Sequence, residues 1–159
     1  FHYGYEAFFE RCQDVGIDGI IIPDLPFEEK EEVDVVASRY GIDLISMIAP
    51  TSKERIRKIA KGAKGFLYVV SSMGVTGERT NITTDIGGML KEIRSVSSVP
   101  AAVGFGIHTP DQAAEISKTA DGVIVGSAVV KLIEKYGSHA GGHLYTYVRM
   151  MKEAVSHSE

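Results

Sequence analysis

Cysteine occurs once, at Cys12, in a chain of 159 residues. One thiol cannot close an internal disulfide, and no signal-peptide pattern opens the chain, so the expected setting is a reducing cytoplasm. Long apolar runs are missing too. Residues 20–22 and 123–125 are among the longest, against the ~20 a membrane-spanning helix needs, so no membrane partner is expected. Neither sign of charge dominates: 17 Lys+Arg stand against 21 Asp+Glu, a net charge of −4. The densest basic stretch, residues 53–64, is interrupted by apolar residues at helical spacing. It reads as a solvated helix face, and no nucleic-acid partner is expected. Proline- or serine-rich linkers, fixed-period repeats and low-complexity segments are absent, which leaves a single domain over residues 1–159. The opening Phe1-His2-Tyr3 carries no initiating methionine, so processing or truncation is expected.

What is present is an alternation. With 44% apolar and 24% charged residues the composition is that of an ordinary globular domain. Tyr5, Phe8, Phe9, Cys12 and Val15 form one helical stripe ending at Gly16, on which Cys12 reads as a small buried hydrophobe. Gly19-Ile20-Ile21-Ile22-Pro23 is a continuous β-branched run of the kind found in parallel sheets. An acid-headed helix with Val33, Val36, Ala37 and Tyr40 inward follows, then a strand over 42–48. Thr51-Ser52-Lys53-Glu54 reads as a capping box, with Ile56, Ile59 and Ala60 inward on the helix it opens. Further strands are expected over 65–70, 99–104 and 121–126. The intervening helices carry Ile86, Met89, Leu90 and Ile93, and then a second capping box, Thr109-Pro110-Asp111-Gln112. Helices over 127–135 and around Leu144 to Val155 close the chain; Ala140-Gly141-Gly142 is poor helix.

Five βα units make an α/β domain with a parallel sheet. A doubly wound sheet fits 159 residues directly, whereas a (β/α)8 barrel usually needs more than ~200. Length alone favours the doubly wound sheet.

In either architecture ligands bind beyond the carboxyl ends of the strands. Pro23-Asp24-Leu25-Pro26, Ala49-Pro50-Thr51-Ser52, Ser71-Ser72-Met73-Gly74-Val75-Thr76-Gly77, Gly104-Phe105-Gly106-Ile107 and Gly126-Ser127-Ala128 stand there. Glycine lets backbone approach a ligand, and free N–H groups at a helix start attract anions. The Gly104-Phe105-Gly106 and Gly126-Ser127 turns sit where barrels bind phosphate; the plainer alternative is that these glycines only permit tight turns. Residues 71–84 form a loop long enough to be a lid, with Gly74 and Gly77 as hinges around Thr76, or else a surface loop. His139 and His143 have metal-ligand spacing but read as a fortuitous surface pair. His108 reads as a loop-surface histidine. Asp24, fixed between two prolines, is either a directed carboxylate or an ordinary helix cap.

Taken together, these motifs resemble one family, the alpha subunit of tryptophan synthase. The resemblance rests on Gly19-Ile20-Ile21-Ile22-Pro23-Asp24-Leu25-Pro26, Ile48-Ala49-Pro50-Thr51-Ser52, Tyr68-Val69-Val70-Ser71 leading to Gly74-Val75-Thr76-Gly77, Gly104-Phe105-Gly106-Ile107, and Ala120-Asp121-Gly122-Val123-Ile124-Val125-Gly126-Ser127-Ala128. It covers essentially the whole chain and reverses the length argument. The family is a TIM (β/α)8 barrel, of which this chain resembles the last five βα units plus a terminal helix. The implied activity is a lyase reaction in tryptophan biosynthesis, retro-aldol cleavage of indole-3-glycerol phosphate to indole and glyceraldehyde 3-phosphate. The resemblance assigns Gly77, Gly106, Gly126 and Ser127, with the N–H of Phe105, to the substrate phosphate. Ile21, Tyr68 and Phe105 match the wall around the indole ring, and Thr76 matches a lid threonine that contacts the catalytic aspartate. Asp24 and Pro26 match the region facing the beta subunit, the partner in a heterotetramer. No cofactor is implied for this chain, since pyridoxal phosphate belongs to the beta subunit. Ser72, where many members have arginine, is a departure within the lid. The family's catalytic glutamate and aspartate match no position here, so the chain alone is expected to be inactive and to self-associate through open sheet edges. The alternative function is a non-catalytic phosphate-binding barrel fragment.

Overall fold

The structure is a computed structural model and describes residues 2–71, 85–104 and 106–156. Its strands are β1 (Gly19–Ile21), β2 (Asp43–Ile48), β3 (Leu67–Val70), β4 (Ala101–Gly104) and β5 (Gly122–Val123). Its helices are α1 (Tyr5–Asp14), α2 (Lys30–Arg39), α3 (Lys53–Lys61), α4 (Ile86–Arg94), α5 (Pro110–Ser117), α6 (Ser127–Tyr136) and α7 (Ala140–Ser156). The strands are shorter than the apolar runs. β1 stops before Pro23, which has no N–H to give to a ladder. β5 covers two residues of the expected six, although the Ile124 N–H still donates to the Val103 carbonyl at 2.8 Å.

All neighbouring strands are parallel, and their order is β1-β2-β3-β4-β5. A doubly wound sheet must reverse its strand order at a switch point to place helices on both faces. The order here never reverses, so right-handed crossovers put every connecting helix on one face. The doubly wound expectation from length is therefore wrong: length limits how many strands there are, not the direction of winding. The sheet is an arc of consecutive barrel strands.

The two faces differ as that winding requires. Leu44, Ile48, Leu67, Val69, Ala101 and Val103 face the helices and are buried. Ile48, Leu67, Val69 and Val103 pack in one core with Ile56, Ile59, Leu90, Ile93, Ala113 and Ile116, and each buried Val, Leu or Ile there contributes roughly 1.5–3 kcal/mol. Phe9 and Cys12 of α1, Val33 and Ala37 of α2, and Leu44 make a second core at the β1 end. The alternate residues Met47, Tyr68, Ala102 and Gly122 lie in one register row and are only half-buried. Beyond the helices, apolar surface is concentrated at both ends of the arc. Tyr3, Phe8, Val15 and Ile17 are exposed around α1, and a groove of about 770 Å³ beside β5 is lined by Val123, Val129, Tyr147, Val148 and Met151.

Local sequence determines where the helices begin. The Asp85 carboxylate accepts from the Gly88 N–H at 2.8 Å to cap α4, and the Thr109–Gln112 capping box opens α5 with Pro110 at its first position. The first expected box is shifted by one: Ser52, not Thr51, caps α3 by accepting from the Arg55 N–H. No Glu or Gln then stands three residues on, so the reciprocal half of the box is lost. Ala140-Gly141-Gly142, expected to be poor helix, is the first turn of α7, where Ala140 is buried and packing overrides propensity. The basic stretch is largely exposed, with Arg55 paired to Glu28, and Lys53 and Arg57 to Glu92. Those two cations hold the Glu92 carboxyl below the usual carboxylate range. Among the described residues no helix is long and apolar enough to cross a membrane.

At the amino-terminal end of β5, Asp121 clamps the sheet. Its backbone N–H donates to the Ala101 carbonyl at 3.0 Å. Its carboxylate accepts from the Ala101 N–H at 2.8 Å and from Arg94 at 3.2 Å. The Ala101 bond first, and Arg94 with it, hold the Asp121 carboxyl below its ordinary range. A depressed carboxylate contributes stability that is present above the unfolded value near ~3.9 and is lost as pH falls through the lower folded value. Asp121→Asn is expected to cost about 1 kcal/mol at neutral pH, the partial exposure of the group discounting a charged hydrogen bond. The variant should also show a shallower loss of stability in that acid window. Urea unfolding at several pH values checks both, and an unchanged acid limb would remove Asp121 from the clamp.

Candidate active-site end of the sheet

Because the strands are all parallel, the loops that follow them gather at one edge of the sheet. The β4 and β5 turns are the most informative. Ala102 pairs with Gly122 and Val103 with Val123, so the turns that carry Gly106 and Gly126 follow neighbouring parallel strands and leave the sheet at the same edge. Gly106 has φ +81°, in the left-handed region that favours glycine. Gly126 is exposed, and a Cβ built on it would meet nothing within 4 Å. Gly126 precedes α6 without any side-chain cap, and the first intrahelical bond is Val130 N–H to the Gly126 carbonyl at 3.1 Å. The N–H groups of Ser127 and the residues after it thus open α6 at its positive end, the usual setting for an oxyanion.

Tyr68 and Ile21 occupy the face opposite the helices. Ile21, the last residue of β1, is 37% exposed. Tyr68 is half-buried in the Met47–Ala102 row, and burial pushes its phenol pKa upward. Its ring leans toward the loop end of the sheet: a Cβ at Gly104 would lie 2.3 Å from Tyr68 Oη and 2.6 Å from Cζ. Gly104 is therefore glycine because an aromatic ring lies where its side chain would be. The geometry offers an open apolar face with one phenol beside the two glycine turns.

Asp24 and Pro26 are exposed in the loop after β1. Asp24 is not a helix cap, since the short 3-10 turn Phe27–Glu29 is preceded by Pro26 without a side-chain cap. Beneath this loop lies a cavity of about 490 Å³ lined by Leu25, Phe27, Lys30, Ser46 and Pro50 among others. Lys30 Nζ donates to Ser46 Oγ at 2.8 Å and to the Gly62 carbonyl at 3.3 Å, and burial lowers its pKa.

The histidines behave in two ways. His143 stacks on the Tyr136 ring at 3.6 Å, and no group of three or more His, Cys, Asp or Glu side chains that could hold a metal ion occurs among the described residues. His108, expected at the loop surface, is half-buried and bonded. Its Nδ1 lies 2.8 Å from the Gly106 carbonyl, its own N–H donates to Gln112 Oε1 at 3.0 Å, and its carbonyl accepts from Tyr147 Oη at 2.9 Å. The sequence reading missed this cluster, because the only local signal was the Thr109–Gln112 box and Tyr147 is remote in the chain. Cys12 is buried as expected. Thr76, Gly77 and Phe105 lie outside the described residues.

A family model described as tryptophan synthase alpha chain matches residues 1–156. A tryptophan synthase alpha chain from Lacticaseibacillus casei is 48% identical over 98% of this chain and 58% of the relative. Among solved structures, Mycobacterium tuberculosis tryptophan synthase is 31% identical, with a TM-score of 0.84 over 97% of this chain and 58% of that one. A Pyrococcus furiosus structure, described as the mutual activation of the tryptophan synthase a2b2 complex, gives 28% and 0.80 over 96% and 60%. The chain thus spans about three-fifths of the length of the relatives it matches.

The close approach of Tyr68 to Gly104 can be tested directly. Gly104→Ala is expected to fold, since the group in the way is the far end of a side chain, with a stability loss of about 1–2 kcal/mol from overpacking. The Tyr68 ring should swing off β4, seen as a large change in its aromatic NMR shifts. Unchanged Tyr68 resonances would mean that the ring does not lie over Gly104.

Proposed function

Because the chain belongs to the tryptophan synthase alpha chain family, we propose that it supplies the phosphate- and indole-binding part of a site that cleaves indole-3-glycerol phosphate to indole and glyceraldehyde 3-phosphate. The observation that carries this reading is that the left-handed Gly106 turn and the uncapped Gly126-Ser127 start of α6 follow two neighbouring, paired parallel strands. In this reading the phosphate is held by backbone N–H groups at Gly106, Gly126 and Ser127, with Phe105 and Gly77 alongside. The indole ring lies against Ile21, Tyr68 and Phe105 on the open face of the sheet. In the same reading Thr76 has the role of the family's lid threonine, which excludes water from the reaction. The acid/base glutamate and the aspartate on the indole nitrogen match no position in these 159 residues, so this chain's share is binding and orientation. No cofactor is required for that share.

Asp24 and Pro26 form the surface toward the beta subunit, the pyridoxal-phosphate enzyme that takes up the indole, in a cytoplasmic heterotetramer. Their exposure beside the site mouth supports that placement. The ends of the arc at β1 and β5, each paired on one side only among the described residues, are the surfaces through which the chain alone self-associates.

Titration of the chain with inorganic phosphate, followed by amide NMR, tests the cradle. Saturable shifts at Gly106, Gly126 and Ser127 are expected, and Ser127→Asp should weaken binding at least about tenfold, or ~1.4 kcal/mol. A carboxylate there suits the start of α6 while repelling the ligand, so the fold should survive. Shifts confined to other residues, or none, would exclude the site. The purified chain should also show no turnover of indole-3-glycerol phosphate, since loss of one acid/base group alone lowers rates by ~10² to 10⁴. Detectable indole production free of host enzyme would contradict that division of labour.

A further inference from the structure

We propose that His108 and Tyr147 are positioning residues for the oxyanion turn, forming a latch that ties the Gly106 peptide to the terminal helix; this rests on the phosphate reading above. The Gly106 carbonyl only accepts, so the 2.8 Å contact requires the proton of the His108 ring on Nδ1. In a trans peptide the carbonyl and the following N–H point in opposite directions. Holding the Gly106 oxygen toward His108 therefore fixes the Gly106–Ile107 peptide and, through it, helps hold Gly106 in the left-handed conformation at φ +81° that sets the direction of its own N–H.

His108 is itself held at both ends. Gln112 Oε1 accepts from the N–H groups of His108 and Thr109 at 3.0 and 3.2 Å, which joins the turn to the start of α5. Tyr147 Oη donates to the His108 carbonyl at 2.9 Å from α7, 39 residues along the chain. Tyr147 packs against the main core, and α7 lies along α5. The latch thus makes the conformation of the β4 turn depend on docking of α7. A peptide already oriented before the ligand arrives loses less freedom on binding.

The test uses the full 159-residue chain, inorganic phosphate as probe, and the variants His108→Leu, His108→Asn and Tyr147→Phe. His108→Leu is expected to weaken phosphate about tenfold and Tyr147→Phe about threefold. His108→Asn, whose amide can donate from nearly the same place as Nδ1, should return to within about threefold of the parent; each tenfold equals ~1.4 kcal/mol. Nitrogen-15 NMR of the parent's His108 ring should show the proton on Nδ1. Equal phosphate affinity in parent and variants would overturn the latch and leave the phosphate site standing. A parent that binds no phosphate would overturn both. If His108→Leu does not fold, His108→Asn and Tyr147→Phe decide: parent-like binding in Tyr147→Phe, or a proton on Nε2 of the parent ring, sinks the proposal.

Discussion

Parallel pairing without reversal is the constraint on which the rest of this molecule depends. Each strand reaches its neighbour through a right-handed crossover, and the strand order keeps chain order from β1 to β5. Every connecting helix is thereby sent to one face and every strand-to-helix loop to one edge. The buried row from Ile48 to Val103 and the half-buried row from Met47 to Gly122 are two consequences of the same winding. So is the placing of the Gly106 and Gly126 turns at one edge.

The two ends of the sheet are built with different chemistry. At the amino-terminal end the residues hold β4 and β5 together, as when the Asp121 carboxylate takes the Ala101 N–H and the Arg94 guanidinium. At the carboxyl end side chains give way to backbone. Gly104 makes room for Tyr68, Gly106 adopts a left-handed turn and Gly126 leaves α6 uncapped. Glycine in these places weakens the local chain, and the packing around Ile107, which is 4% exposed, and the hydrogen bonds of His108 supply rigidity from outside the turn.

Much of this organisation was legible in the sequence because it is set by neighbours in the chain. The β-branched runs, the stripe at Ile56, Ile59 and Ala60, and the Thr109–Gln112 box each depend on residues within about one or two helical turns. The errors have the same origin. Thr51 and Ser52 are both good caps, and only the path of the chain from β2 selects Ser52. Ala140-Gly141-Gly142 is a poor helix start taken alone, and it is helical because Ala140 is buried.

The family motifs, the five βα units and the glycine turns were determined by the sequence itself, since each is a short-range pattern of residue size, polarity and backbone freedom. Strand order was not, because a βα unit of given length can join a singly or doubly wound sheet, and only the competition among complete packings selects one. The same holds for single contacts. Tyr68 meets Gly104 across 36 residues and Tyr147 meets His108 across 39. No periodicity in the chain encodes such a meeting, which exists only when the helices have been laid against one face of the sheet.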